Sequence, residues 1–232
     1  MRLNFTSSLA RAILFCTPLA LAPVVWADVE VPIVDIFGND SGWSAVLPDA
    51  VHNGIVVDWV SDSAARIEIA KEFYEPPTAG EFAPRVIRFH QRLSDGQTVA
   101  TIEIADELVR NRTGVDWTGY RWELPDTAAA IDRAATEASG FDTSPFVSKC
   151  WGPQQPTWPD ADHVRSLAVD GGVVADGAAY TPGLAGGGLF IDIDLSRGDS
   201  DFSLRQWPVP EPASLGLIVF GSAALLARRR RR

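Results

Sequence analysis

The feature that most constrains the fold of this chain is a period-two alternation of apolar and polar residues. Residues 66–69 read Arg-Ile-Glu-Ile, and residues 101–104 read Thr-Ile-Glu-Ile. Successive side chains of a β-strand point to opposite faces of the sheet, so this pattern places the isoleucines in a core and the polar residues outside. The alternation therefore predicts strands that each cover one side of a hydrophobic core.

Similar short segments recur along the chain, bounded by Gly, Pro, Asn or Asp. The alanine-rich segment 127–139 differs, because it begins after Asp126, stops before Gly140 and predicts a short helix. Hairpin turns are predicted at 94–97 and 170–172. Many short strands with one helix predict a mainly β fold, an antiparallel β-sandwich, with a jelly roll as the alternative. The predicted strands are 29–37, 54–60, 64–70, 84–93, 98–105, 116–124, 164–169, 188–195 and 201–207.

The central part of the chain, residues 28–212, is strongly acidic. All 30 acidic residues lie there, whereas two of the 20 basic residues precede it and five follow it, which leaves 13 basic residues and a net charge of −17. This charge argues against nucleic acid as a partner, because basic side chains bind the phosphate backbone. Of the two cysteines only Cys150 lies in this part, so a disulfide within it is excluded and a buried thiol is expected.

The C-terminus combines three unlike elements in a fixed order. Pro210, Glu211 and Pro212 come first, then an apolar run over 213–227, and then five consecutive arginines at 228–232. The prolines favour extended backbone and hold Glu211 in an accessible, non-helical peptide. As a helix, the apolar run would be about 22 Å long at about 1.5 Å per residue, a short span for a hydrocarbon core of about 30 Å. The arginines would remain on the cytoplasmic side of the membrane.

This arrangement closely resembles the PEP-CTERM sorting signal of Gram-negative bacteria that make extracellular polysaccharide. The resemblance covers residues 209–232. It implies that an exosortase, an integral membrane cysteine protease and transpeptidase, recognises residues 210–212 and cuts near them. It also implies a protein held transiently in the inner membrane and then passed to the cell surface or extracellular matrix. Residues 111–124 and 202–208 resemble the β-rich ectodomains of other PEP-CTERM proteins. The alternative is a plain C-terminal membrane anchor behind an incidental proline-rich linker.

The N-terminus has the composition of an export signal. Residues 1–27 contain two arginines but no acidic residue, and an apolar stretch at 12–25 leads into Val-Trp-Ala. This pattern predicts a signal peptide that a signal peptidase removes between Ala27 and Asp28. The predicted domains are a signal peptide at 1–27, a β-sandwich ectodomain at 28–208, and the sorting signal with its short transmembrane helix at 209–232.

Aromatic residues are the first group that suggests a ligand. Only one of the eight tryptophans lies in the predicted signal peptide. Trp117 and Trp122 differ by an odd number, so a flat strand would send one into the core and the other towards solvent. Trp151 and Trp158 lie in the proline-rich segment 150–160, where exposed rings can stack on sugar faces. Core packing is the ordinary role of tryptophan, so sugar binding is predicted only for this second pair.

A run of acidic residues near the end of the chain is the second such group. Its members are Asp192, Asp194, Asp199 and Asp201. They form an oxygen-rich strand and turn, and calcium prefers oxygen ligands. The run departs from an EF-hand loop, because its glycine is Gly198, one place late, and a serine stands where the final glutamate belongs. Exposed acids beside a turn explain the pattern equally well, so the sequence requires no cofactor.

No catalytic motif stands out. The sequence has no nucleophile elbow, no phosphate-binding loop and no dinucleotide fingerprint, and none of its three histidines has a second histidine at zinc-site spacing. His163 follows Asp160 and Asp162, which can orient a general base, but chance proximity in a polar loop explains this as well. We expect a non-enzymatic protein of the surface or matrix with a structural or carbohydrate-interacting role. The alternative is a secreted polysaccharide hydrolase with an unrecognised carboxylate pair.

Overall fold

The structure, a computed structural model, describes residues 28–49, 52–197 and 200–211. Within these ranges the chain is mainly β with one short α-helix, as the alternating pattern predicts. The predicted signal peptide with Ala27, the transmembrane segment, Asp199 and Pro212 lie outside the described residues. In the described part of the chain, no helix is long and apolar enough to cross a membrane. The strands and the helix are β1 (Val29–Val34), β2 (Asp40–Leu47), β3 (Asn53–Val60), β4 (Ala64–Phe73), β5 (Arg85–Gln91), β6 (Thr101–Asn111), β7 (Trp117–Glu123), β8 (Ala129–Asp132), α1 (Arg133–Ala138), β9 (Ser148–Trp151), β10 (His163–Val164), β11 (Ser166–Val174), β12 (Ala179–Tyr180), β13 (Leu189–Ile193) and β14 (Phe202–Pro210).

The strands form two sheets. The first sheet has the order β1-β2-β5-β14-β7-β11-β9, and the second has the order β10-β8-β13-β6-β4-β3, with β12 also paired to β6. Buried apolar side chains from both sheets form one core cluster, which fits the predicted sandwich. One ladder departs from the antiparallel prediction, because β4 and β6 run parallel. A parallel pair needs a crossover, and residues 74–100 provide it by passing through β5 of the first sheet.

The alternation seen in the sequence builds the core. The isoleucines that were predicted to face inward have no exposed surface: Ile67, Ile69, Ile102 and Ile104. Strand-by-strand alternation on two facing sheets encloses a continuous apolar layer between them. Large aromatic side chains complete this layer, and three tryptophans are fully buried in it: Trp43, Trp117 and Trp122.

The expectation that either Trp117 or Trp122 faces solvent is wrong, because both are buried. A β-bulge in β7 is the reason. The register between β7 and β14 slips between Trp117 and Gly119, so Thr118 has no partner of its own in the ladder. The extra residue reverses the alternation, and Trp117 faces the core together with Tyr120 and Trp122.

The predicted helix is shorter than expected. Its first part forms β8, which lies between β10 and β13, and only Arg133–Ala138 is helical. The N-cap is Asp132 rather than Asp126, and the Asp132 carboxylate accepts a hydrogen bond from the Ala135 N–H at 2.9 Å. Pairing with two neighbouring strands therefore outweighs the helix propensity of the alanines. Gly140 follows the helix with φ of 75°, as a stop signal predicts.

Both predicted hairpin turns have other roles. Residues 94–97 do turn, but they connect β5 of the first sheet to β6 of the second and so cross between the sheets. Residues 170–172 lie inside β11, where the register with β7 slips between Asp170 and Val174. Gly171 has φ of 78°, a conformation that glycine adopts without strain. These glycines therefore allow a break in the register of one strand and do not form a hairpin turn.

A polar cluster interrupts the apolar core. The side chains of Lys71 on β4 and Glu107 on β6 are fully buried, and Lys71 Nζ lies 3.3 Å from Glu107 Oε2. Gln206 on β14 donates from Nε2 to Glu107 Oε1 at 2.7 Å, so one carboxylate connects the two sheets. Burial raises the pKa values of Tyr120 and Tyr180 well above their ordinary value, and the charge of Glu107 adds to both shifts. The cluster is therefore a region of low dielectric with one central charge pair.

Candidate functional site

A groove on the second sheet, which we call the Trp158 groove, collects three of the six predicted ligand-binding residues: Trp158, Asp192 and Asp194. Three adjacent strands, β10, β8 and β13, each contribute one polar residue beside it. His163 and Asp132 are direct partners between β10 and β8, and Asp192 lies on β13. The residues next to them in sequence are buried in the core: Val164, Ile131 and Ile191. Alternation therefore turns the three polar side chains outward. The groove has a volume of about 540 Å³ and is lined by Ala100, residues 157–160, His163 and residues 192–195.

Trp158 forms one wall of the groove. Its ring stacks on the imidazole of His163, with ring centres 4.2 Å apart and ring planes inclined by 15°. Backbone contacts hold the loop in place, since the Trp158 N–H donates to the Gln155 carbonyl at 3.0 Å and the Trp158 carbonyl accepts from Gln154 Nε2 at 2.8 Å. Trp158 is half-buried. The imidazole thus covers one face of the ring, and Trp158 is also one of the residues that line the groove.

His163 is held between two carboxylates. Its Nδ1 lies 2.7 Å from Asp160 Oδ1, and its Nε2 lies 3.1 Å from Asp192 Oδ2. Burial acts to lower the pKa of His163, but the hydrogen bonds and charges of Asp160 and Asp192 outweigh it and raise that pKa above its ordinary value. The hydrogen bond with His163 in turn lowers the pKa of Asp160. The sequence places Asp160 near His163, but only the strand order brings Asp192 to the other side of the ring.

Asp132 completes the cluster, and sequence reasoning missed it. Asp132, His163 and Asp192 each offer one ligand atom, and these atoms lie within 4.8 Å of one another. Asp132 is fixed by its hydrogen bond to the Ala135 N–H, and Asp192 is fixed by the Thr101 hydroxyl, which donates to Oδ1 at 2.8 Å. The only sequence signal for Asp132 is its position after a buried apolar run, and that run was predicted as helix.

The predicted calcium ligands are only partly brought together. Asp192 and Asp194 both line the Trp158 groove. The Asp194 carboxylate accepts hydrogen bonds from two side chains in the next turn, Ser196 at 2.6 Å and Arg197 at 2.7 Å. These hydrogen bonds lower the pKa of Asp194. Asp201 lies immediately before β14 of the first sheet, where its carboxylate is 2.7 Å from His90 Nδ1. The groove therefore unites two of the four residues, while Asp201 belongs to a separate pair.

Trp151 is separated from the groove that holds Trp158. It ends β9, an edge strand of the first sheet, and pairs with Leu167 of β11. Its ring is half-buried, and Nε1 donates to Glu137 Oε1 of α1 at 2.7 Å. Cys150, the preceding residue, is exposed rather than buried as expected, because alternation on this edge strand turns it away from the core. Of the two tryptophans predicted to bind sugar, Trp158 lines this groove and Trp151 does not.

The Pro-Glu-Pro motif begins within the fold. β14 is an interior strand of the first sheet and ends at Pro210. The Thr118 hydroxyl donates to the Pro210 carbonyl at 3.3 Å, and the Glu211 N–H donates to the Asp116 carbonyl at 3.2 Å. Glu211 is exposed and outside any helix, as the adjacent prolines predict. The motif therefore extends directly from a strand that is paired on both sides.

A β-sandwich whose last strand leads into an exposed glutamate, an apolar run and terminal arginines defines an exported protein with a C-terminal sorting signal. Residues 208–232 match the family model of the PEP-CTERM protein-sorting motif. The chain therefore carries a PEP-CTERM protein-sorting motif, which indicates a protein that an exosortase sorts to the outside of the cell. No curated protein and no solved structure matches the chain.

Proposed function

We propose that the exported domain binds neutral polysaccharide in the Trp158 groove. The observation that carries this proposal is the presence of an aromatic ring and several carboxylates in one open groove. An indole ring can stack on the apolar face of a sugar, and carboxylate oxygens accept hydrogen bonds from its hydroxyl groups. Trp158 supplies the ring, and the acceptors come from three lining residues: Asp160, Asp192 and Asp194.

Charge indicates the class of polysaccharide. The groove is lined by carboxylates, and residues 28–212 carry 30 acidic against 13 basic residues. An anionic polysaccharide would be repelled by such a surface. A neutral, hydroxyl-rich chain brings hydrogen-bond donors without adding negative charge, so it is the better partner for this groove.

The ionisation of the groove carboxylates favours binding over the hydrolase alternative. A glycosidase needs one carboxyl group with a raised pKa to protonate the leaving oxygen. In the Trp158 groove, the hydrogen bond with His163 lowers the pKa of Asp160, and the hydrogen bonds of Ser196 and Arg197 lower the pKa of Asp194. Asp160 and Asp194 are therefore better suited to accept hydrogen bonds than to act as the acid of a glycosidase, and we assign the groove a binding role.

The route to this role involves both ends of the chain. We propose that the domain division is that of the sequence analysis, with a signal peptide at 1–27, the ectodomain at 28–208 and the sorting signal at 209–232. A signal peptidase cuts after Ala27, and the segment 213–227 holds the protein in the inner membrane until the exosortase acts. The processed protein then belongs to the surface or extracellular matrix of a Gram-negative bacterium.

Affinity electrophoresis of the processed protein tests the binding proposal. Gels contain dextran, hydroxyethyl cellulose, galactomannan or a neutral polysaccharide from the producing cells. The protein should be retarded in at least one gel, and Trp158→Ala should weaken the interaction about tenfold, the scale of one aromatic contact. Trp59→Ala is the matched control, because Trp59 is 37% exposed on β3 and does not line the groove.

Equal retardation of the Trp158→Ala variant and the wild-type protein would place the binding site elsewhere. Unchanged migration of the wild-type protein in all neutral polysaccharides would overturn carbohydrate binding and favour a purely structural role in the matrix.

A further inference from the structure

We infer that Asp132, His163 and Asp192 form a binding site for a divalent transition metal such as zinc. The inference does not depend on polysaccharide binding, because it concerns the metal ion alone. Each of the three residues offers one potential ligand atom, and these atoms lie within 4.8 Å of one another. The three residues come from three adjacent strands, so their spacing is set by the ladder of the second sheet rather than by a loop.

The orientation of His163 suits a metal ligand. Asp160 Oδ1 lies 2.7 Å from His163 Nδ1 and can accept its N–H. This hydrogen bond leaves the lone pair of the neutral ring on Nε2, the atom that points towards Asp192 at 3.1 Å. A carboxylate that fixes the tautomer and direction of a histidine ligand is the usual partner outside a metal centre. Asp160 is therefore a positioning residue, and Trp158 limits rotation of the imidazole by stacking on it.

Both carboxylates are also fixed. Asp132 accepts from the Ala135 N–H and is tied to the start of α1, while Asp192 accepts from the Thr101 hydroxyl. Each contact occupies Oδ1, whereas it is Asp192 Oδ2 that faces His163. The nearby Arg133 does not neutralise Asp132, since its guanidinium pairs with Asp162 at 3.1 Å. A dication would therefore meet a partly pre-formed site with two carboxylates and one imidazole.

The ligand types indicate the class of metal. One imidazole nitrogen with two carboxylate oxygens is a set that zinc and related transition ions accept. Calcium instead takes six to eight oxygen ligands. Among the described residues the cluster offers only two carboxylates, and its third ligand is an imidazole nitrogen. Three protein ligands leave at least one coordination position of a tetrahedral ion for water or another ligand. This site shares only Asp192 with the calcium ligands predicted from the sequence.

The experiment uses the processed protein, stripped with a chelator and titrated with zinc or cobalt chloride. Isothermal titration calorimetry should give one zinc ion per chain, and cobalt should add a visible absorption band and quench tryptophan fluorescence. His163→Ala should abolish binding. Asp160→Asn should weaken it by about tenfold to a hundredfold, the usual effect of losing a residue that orients a metal ligand.

Two further variants separate a metal site from an ordinary ion-pair network. Asp132→Asn removes a charged ligand but keeps the helix cap, because asparagine caps as well as aspartate, so it should lose zinc affinity without loss of thermal stability. His90→Ala is the matched control, since His90 also lies 2.7 Å from an aspartate but has no second carboxylate partner among the described residues.

The expected result is loss of stoichiometric zinc binding in His163→Ala and Asp132→Asn, with binding retained in His90→Ala. Absence of saturable zinc or cobalt binding by the wild-type protein would overturn the inference. Equal effects of His90→Ala and His163→Ala would do the same, because they would indicate nonspecific surface histidines. Neither result bears on polysaccharide retardation, which is measured without metal.

Discussion

Lys71 and Glu107 form an ion pair between neighbouring parallel strands in which neither side chain has exposed surface, with Nζ 3.3 Å from Oε2. Burial lowers the pKa of Lys71, and the Glu107 carboxylate acts in the opposite direction. A buried ion pair of this kind contributes little more to folding stability than apolar residues of similar size would. Removing one partner is costly because an uncompensated charge remains inside.

Lys71→Met should therefore lower the free energy of unfolding by about 3–5 kcal/mol. The reason is the isolated charge left on Glu107, which among the described residues then keeps a side-chain hydrogen bond from Gln206 alone. Urea denaturation of the processed protein measures the change. The double variant Lys71→Met/Glu107→Gln is the control and should recover most of the loss. A double variant as unstable as the single one would show that lost packing, not buried charge, is the cause.

The destabilising contribution of ionised Glu103 to folding should shrink as the pH falls from neutral. Burial raises its pKa, Arg66 at 3.2 Å offsets this only in part, and Asp58 adds to the rise. The folded state therefore binds this proton more tightly than the unfolded state, so ionising Glu103 costs stability above the folded pKa, and the cost disappears below the unfolded value.

The stability gained by Glu103→Gln relative to the wild-type protein should consequently be largest at neutral pH and shrink on acidification. Urea unfolding of both proteins at several values between about pH 7 and about pH 4 measures this difference. A difference that does not vary with pH would show that the Glu103 carboxyl does not titrate abnormally.

Glu211 should be required for release from the membrane. If the exosortase recognises the motif, protein outside the cell lacks the arginines at 228–232, and Glu211→Ala leaves full-length protein in the inner membrane. Cell fractionation and intact-mass measurement check both outcomes. Glu75→Ala is the matched control, because Glu75 is also an exposed glutamate that precedes a proline. Released protein that retains its arginine tail would contradict exosortase processing.

Asp28 should be the first residue of the exported protein. Its carboxylate pairs with the exposed Arg88 guanidinium at 2.5 Å, one residue before β1 begins. A cut after Ala27 therefore leaves the first sheet complete. N-terminal sequencing of exported material checks the prediction, and retention of Met1 would contradict it.

A strand was predictable from the sequence where its own residues alternate between apolar and polar. β4 and β6 show it plainly, but β2 does not, because its first residues, Asp40 to Gly42, read as a turn. They form a strand since β2 pairs with both β1 and β5. Gly42 also lets β2 pass close to Thr98, where a Cβ would lie 2.5 Å from the Thr98 hydroxyl oxygen. Pairing and close approach are tertiary effects that one strand cannot reveal.

The groove was predictable only in pieces. The sequence presents Trp158 as an aromatic residue in a loop, Asp192 and Asp194 as acids on a strand, and Asp160 as an acid near His163. Nothing in the sequence showed that these pieces share one groove, because that depends on the order β10-β8-β13. Asp132 was not predicted for a different reason, because the segment that forms β8 was predicted as helix.

The position of β14 has a mechanical consequence. The strand that carries the sorting motif is held by β5 on one side and β7 on the other, and its last residue is still bonded to Thr118. Any tether formed at the motif would pull along the length of this strand. Hydrogen bonds in both ladders would then be loaded together in shear, instead of being peeled one by one as at a sheet edge. A protein tethered through this interior strand would therefore be held by two ladders at once rather than by one.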